Sequence, residues 1–406
     1  MSLHSGNVQG DGLVRTDDDT LSHWLRRLLI VGMVVLVLGM AVMPAGASYN
    51  PGKLYQRLLA LTLYLPALLL LVRRPRRWLE FWRQPLMPWV VLLLTWGSVT
   101  LLWSNSTHLL SELGRNLSIL LFLFGWLQAF SNHEDRIRQL LVGCACGLVP
   151  VALAAMFMQL FYPDPEAGGR LAGFGVMDNA NLAAAAMGVA ILWLSTWPFR
   201  EFKHRILQAI ALCVLGLFVL LTFTRSAWGA LFIALLVFAL CQGGRRVWRY
   251  VGWLILFGVI GACIGLPELT KRGWSLRPEI MAQSWSLFSK HPWLGLGQGT
   301  EFQIDVGADT LTHAHNLFSQ VAIELGLPGL VLWVGIWLAL GWRGWCYRRE
   351  RLGRLVLMTW VFATIMVQFD LPHLLDSPRP DWLIIWLPLA LSFSFGKHVS
   401  VANKDA

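Results

Sequence analysis

Charge is scarce in this sequence. Asp, Glu, Lys and Arg make up 14% of its 406 residues against 56% hydrophobic, and the mean hydropathy is +0.56. A soluble chain carries roughly 25% charged residues, so the composition argues against soluble domains and for a chain solvated largely by lipid. Acidic residues are the scarcer kind, leaving a net charge of +10. The basic residues fall in short clusters between apolar runs, which argues against a nucleic-acid-binding face. There are six cysteines and no CxxC pair, so a disulfide framework or zinc site is not indicated and the cysteines read as buried small hydrophobes. The first apolar run, near 24–43, reads as a retained span and not as a signal peptide. Neither solenoid repeats nor the inverted repeats of many secondary transporters are visible.

Long apolar runs dominate what is there. A spanning helix needs roughly 20 mostly apolar residues. That criterion predicts an all-α polytopic membrane protein of about twelve helices, near 24–43, 54–72, 86–103, 113–131, 138–161, 179–197, 205–223, 225–241, 247–266, 317–341, 355–370 and 382–396. Residues 1–23, with Asp17, Asp18 and Asp19, read as a disordered cytoplasmic segment, and 397–406 as a cytoplasmic tail. Nine spans fill 24–266 and three fill 317–396. Orientation follows the positive-inside rule. With the N-terminus in the cytoplasm, every even-numbered connection is basic, including Arg73, Arg74, Arg76 and Arg77, then Arg245, Arg246 and Arg249, then Arg348, Arg349 and Arg351. Both termini are then cytoplasmic, in a bacterial inner membrane.

One connection is long. About fifty residues, 267–316, lie between the ninth and tenth spans on the outer side, and loops of that length are usually functional or disordered. This one is rich in Trp, Gly and Leu, which argues for order. Pro278 suits the first turn of a helix carrying Ile280, Met281, Trp285 and Phe288 at helical spacing, and Lys290, His291 and Pro292 stop it. Such an amphipathic helix would lie on the membrane surface or roof a cavity.

Three residues at the outer surface carry candidate chemistry. Arg225, in the turn TRSAWG, opens a helix with almost no loop before it. An arginine at that depth costs several kcal/mol unless it finds a partner, and a helix start favours an anion beside it; the alternative is a snorkelling or acid-paired arginine. Arg277 precedes the loop helix in a cationic stretch with Lys271 and Arg272, and its planar fork matches phosphate oxygens; a solvated loop charge is the alternative. His315, in LTHAHNLF, lies beside a helix start and can accept a proton from a hydroxyl. His313, two positions earlier, would point elsewhere if the helix has already begun. The HxH pair could ligate a metal, but no third ligand stands at a telling spacing. The glycines of HPWLGLGQG have GxGxG spacing without strand–turn–helix context, which points to close backbone packing and not to a nucleotide site. Two arginines and a histidine at the outer surface suggest chemistry on a membrane-anchored phosphate ester.

The TRSAWG turn, Arg277 and Trp285 leading into HPWLGLGQG, and HAHNLFSQVAIELGLPG together resemble the O-antigen ligase/polymerase superfamily over roughly residues 170–345. The resemblance implies a GT-C type membrane glycosyltransferase with a periplasmic active site, working without cofactor, metal or nucleotide sugar. Its donor would be undecaprenyl-pyrophosphate-linked O-antigen and its acceptor lipid A–core; nucleic acid is no partner. Arg225 and Arg277 would hold the pyrophosphate and His315 would be the general base. Arg170, His313 and Asn316 are secondary candidates, Arg170 for phosphate or sugar contact. An O-antigen polymerase or protein O-oligosaccharyltransferase would share the donor. A transporter of lipid-linked cargo is the reading from another class, although transporters place ionisable residues nearer mid-membrane.

Overall fold

The computed structural model describes residues 10–44, 52–131, 133–162, 169–243, 276–307 and 309–395, with isolated positions 248, 251, 252, 255, 258 and 259. The expected ninth span, Cys263, Lys271, Arg272 and the C-terminal tail lie outside these residues or almost entirely so. The described chain is nearly all helical: α1 Gly10–Val42, α2 Lys53–Arg73 with a π-helical turn at Ala60–Tyr64, α3 Arg76–Trp82, α4 Met87–Thr100, α5 Leu109–Phe130 and α6 Glu134–Phe161. Then follow α7 Ala180–Thr196, α8 Phe202–Leu221, α9 Arg225–Gln242, α10 Arg277–Lys290, α11 Leu317–Cys346, α12 Arg351–Met366 and α13 Pro380–Ser394. Seven of these helices are long and apolar enough to cross a membrane. Helices α4, α7 and α13 are apolar but shorter, and α12 has 16 residues, so the expected count of twelve exceeds what length and composition support among the described residues. The first helix is described from Gly10, inside the stretch read from sequence as disordered.

Helix α7 lies at the centre. Its residues are apolar on every side and nearly all buried, as expected of a helix surrounded by others. The run Ala183–Ala186 keeps its girth small and lets neighbours approach closely. At Gly188 the Phe362 ring of α12 fills the space where a Cβ would sit 2.6 Å away. Asn179 caps this helix, its side chain accepting from the backbone N–H groups of Asn181 and Leu182. Large rings fill the remaining core, among them Trp126, Trp193, Trp333, Trp382 and Trp386. The cysteines depart from expectation: Cys144 is buried and Cys241 half-buried, whereas Cys146, Cys213 and Cys346 are exposed.

The segment between α10 and α11 has a small core of its own. Ile280, Phe302, Ile304, Val306, Ala314 and Ile323 are buried together, with Leu287, Phe288, Leu296 and Leu311 against them. It also forms an antiparallel hairpin, β1 Ile304–Val306 with β2 Asp309–Leu311, in register Ile304 to Leu311. These strands are the exception to the all-α expectation; at three residues each they are too short for an alternating pattern to reveal them. In α10, Ile280 and Ser284 face inward while Met281 and Trp285 are exposed, so the apolar residues divide between two faces.

The loop is fastened to α11 by backbone. Gly326 has φ 64° and breaks that helix ahead of Pro328. There, Leu296 and Gly297 donate to Ile323 O and Glu324 O, and Leu327 donates to Pro292 O, each at 2.8 Å. Gly295, at φ 67°, would carry a Cβ 2.4 Å from Glu324 O, and Gly326 one 2.4 Å from Trp293 O. Only hydrogen fits at either position. The glycines of HPWLGLGQG thus serve close backbone packing.

Candidate active site

The N-terminal ends of α7, α9, α10 and α11 and the segment after α12 meet at one end of the bundle. Each brings a polar residue. His315 and Asn316 precede α11, which starts only at Leu317 because Asn316 is its cap, Oδ1 accepting from the Ser319 N–H at 3.0 Å. The Asn316 amide nitrogen donates to Gln368 O and Oε1. Asn316 therefore fixes the α11 start against the segment after α12.

His315 Nδ1 lies 3.4 Å from Asp370 Oδ1. With Nδ1 carrying its proton toward that carboxylate, Nε2 keeps the lone pair a base requires. Asp370 is held in turn by the Leu371 N–H at 2.9 Å and by the Asn181 amide nitrogen, which donates to Oδ2. Burial pushes the Asp370 carboxyl up, but the bond to His315, the histidine's charge, the Leu371 N–H and Asn181 bring it below the usual carboxylate range. Asp370 was not singled out in the sequence. A lone acid just past the end of an apolar run, in QFDLPH, was the available signal.

His313 does not point elsewhere. With no helix before Leu317, its ring lies 4.1 Å, centroid to centroid, from that of His315 and 5.7 Å from that of His373. Burial first, then the neighbouring histidines, push His313 down to about 4, and burial pushes His373 to about 4 as well. Both are neutral at physiological pH. Of the His/Cys/Asp/Glu groups among the described residues, His313, His315 and Asp370 could hold a metal ion, their ligand atoms all lying within 4.8 Å of one another. The sequence offered no third ligand because Asp370 is far along the chain.

Arg225 is the first residue of α9 and half-buried. Arg277 is the first of α10, its guanidinium 5.0 Å from the centre of the Phe369 ring. Arg277 is exposed, and partial desolvation lowers it from its ordinary value, with Asp370 opposing that and Arg225 adding to it. The two arginines and the carboxylate therefore share one electrostatic neighbourhood, although they come from three distant parts of the sequence. Arg170 donates from Nε to Thr222 O at 3.0 Å, and from Nη2 to Asn181 Oδ1 at 2.6 Å and Thr224 Oγ1 at 2.9 Å. Beside this cluster a second network joins Arg115 to Glu112 (2.6 Å) and Asp376 (3.2 Å), and Arg379 to Asp376 (3.2 Å). Gln298 of the loop donates to Glu112 within it.

Backbone strain gathers at the same place. Among the described residues, the non-glycines with positive φ are Phe223 (49°), His315 (49°) and Leu371 (61°). One is the histidine itself, one follows Asp370, and one stands two residues before Arg225. Strain of about 1–3 kcal/mol per residue persists only where surrounding structure enforces it, and it concentrates at functional sites.

The sequence model of the family described as O-antigen ligase matches residues 209–334. A protein of Pseudomonas aeruginosa named O-antigen ligase is 31% identical over 382 residues, covering 92% of this chain and 91% of that protein.

Proposed function

The chain belongs to the O-antigen ligase family, and on that premise we propose that it transfers O-antigen from undecaprenyl pyrophosphate to lipid A–core at the periplasmic face of the inner membrane. The observation that carries the reading is the His315–Asp370 pair in the same electrostatic neighbourhood as Arg277 and Arg225. Family membership makes the protein a glycosyl-transferring enzyme; donor, acceptor, side of the membrane and mechanism are what we propose.

The lipid-linked donor enters from the outer leaflet, and Arg225 and Arg277 hold its pyrophosphate. An acceptor hydroxyl attacks the anomeric carbon, and His315 Nε2 takes its proton. The bond from the anomeric carbon to the phosphate oxygen breaks as the new glycosidic bond forms. The electron pair leaves with the pyrophosphate, where the guanidinium charges stabilise it. Asp370 keeps the His315 tautomer and stabilises the imidazolium that results. A single displacement inverts the anomeric centre and needs no covalent enzyme intermediate. Two cations at the leaving group supply the charge that a metal ion provides elsewhere.

The test is reconstitution of purified protein in liposomes with purified lipid-linked donor and lipid A–core. Polysaccharide appearing on lipid A–core supports the reading. Chain growth on the donor lipid, or transfer to a protein, would reassign the acceptor. Movement of intact donor across the bilayer without transfer would overturn the reading.

A further inference from the structure

Three hydrogen bonds of Arg170 reach both halves of the site. Its bonds to Thr222 O and Thr224 Oγ1 grip the turn around Phe223. Thr224 is the residue before Arg225 and stands at the start of α9. The backbone beside Arg170 is anchored too, the Leu171 N–H donating to Leu221 O at 3.0 Å. The third bond goes to Asn181, whose other end donates to Asp370.

The chemistry of these groups permits one arrangement. A guanidinium only donates and a carboxylate only accepts. The amide between them must therefore turn its oxygen to Arg170 and its nitrogen to Asp370. The Thr224 hydroxyl, 3.1 Å from Asn181 Oδ1, can donate to that oxygen in the same arrangement. With Oδ2 engaged by Asn181, Asp370 presents Oδ1 to His315 Nδ1. A polar chain thus runs from the turn that ends at Arg225, through Arg170, Asn181 and Asp370, to the imidazole. Three of the five N–H groups of the Arg170 guanidinium are committed to it.

We infer that Arg170 and Asn181 are positioning residues, which lock the orientation of the Asp370–His315 pair and tie it to the turn carrying Arg225, and that Arg170 is not a ligand of the donor phosphates. The inference rests on the proposed transfer reaction. A base misplaced by about 1 Å costs on the order of 10²-fold in rate, so breaking the brace lowers turnover; loss of Arg170 also frees the turn that carries Arg225 and weakens donor binding through it.

The experiment measures kcat and KM for lipid-linked donor in the reconstituted protein, for wild type, Arg170→Ala, Asn181→Leu, the double variant and His315→Ala. Each single variant is expected to lose roughly 10- to 100-fold in kcat, with donor KM unchanged in Asn181→Leu and raised in Arg170→Ala through the freed Arg225 turn. The double variant should be no slower than the worse single one, because both substitutions break the same chain. Losses that multiply in the double variant, or a raised donor KM with wild-type kcat in Arg170→Ala, would make Arg170 a phosphate ligand and overturn the inference. If Arg170→Ala does not fold, Asn181→Leu decides alone, since wild-type kcat in that variant breaks the chain's claim. An active wild type with an inert His315→Ala keeps the transfer reading whatever the brace shows. A wild type that transfers nothing removes both.

Discussion

His315 and Asp370 meet across the top of the bundle, Nδ1 to Oδ1 at 3.4 Å, each next to or at a residue with positive φ. One precedes α11 and the other follows α12, so their contact depends on how those helices pack. Replacing Asp370 by Asn swaps an acceptor for a group that can donate to Nδ1 and favour the wrong tautomer. Asp370→Asn and His315→Ala are both expected to lower transfer by about 10²–10⁴-fold while donor binding persists. His313→Ala removes the ring tilted against His315 and should cost less than either. Transfer per folded molecule, measured beside donor binding, checks this; full turnover by His315→Ala removes it as the base.

The arginines and the histidine were legible in the sequence because each sits beside a helix start or a long connection, features that local pattern reveals. Asp370, Asn181 and His373 were not. They reach the site through tertiary packing around α7, and nothing in their spacing along the chain reports that packing. Asn316 was legible as a position, yet its observed role is to cap α11 and bind Gln368. Order in the segment between α10 and α11 is legible from its composition, whereas its hairpin and its docking on Gly326 required backbone geometry.

Acid should destabilise the fold through two half-buried histidines. His313 and His373 stand at about 4 in the fold against 6.5 free. Between those values the unfolded chain binds more protons, so stability is fully present above 6.5 and falls as the pH drops toward 4. The slope is on the order of 1 kcal/mol per pH unit for each histidine. Thermal unfolding in detergent across that range should show a falling Tm, and the slope should flatten when both are replaced by Gln. A Tm independent of pH there would show that neither histidine is held neutral.

Arg225→Lys and Arg277→Lys keep the charge but lose the planar fork. Truncating a charge-assisted contact costs about 2–5 kcal/mol, so the corresponding alanine variants should lose tens- to thousands-fold in kcat/KM, with lysine intermediate. If donor binds the alanine variants as tightly as wild type and turnover is unchanged, the phosphates lie elsewhere.

Sidedness can be read with cysteines placed where the fold leaves them accessible. Gln298 is 1% exposed and unsuited, whereas Lys290 at the end of α10 and Arg349 between α11 and α12 are exposed. In a background without native cysteines, Lys290→Cys should react with an impermeant reagent added from the periplasm and Arg349→Cys should not. The reverse pattern would move the whole site to the cytoplasm.

Chelation separates two uses of one cluster. The ligand atoms of His313, His315 and Asp370 lie within 4.8 Å of one another, a donor set suited to zinc. In the proposed reaction His315 must keep a free lone pair, so an ion bound there would block proton transfer. Protein dialysed against EDTA is therefore expected to transfer at the wild-type rate. Added zinc should inhibit, EDTA should reverse the inhibition, and His313→Ala should weaken it by removing one ligand. The opposite result, activity lost in EDTA and restored by one divalent ion, would assign a working cation to these three residues. The leaving-group charge could then no longer be ascribed to Arg225 and Arg277 alone, and His315 would become a ligand in place of a base.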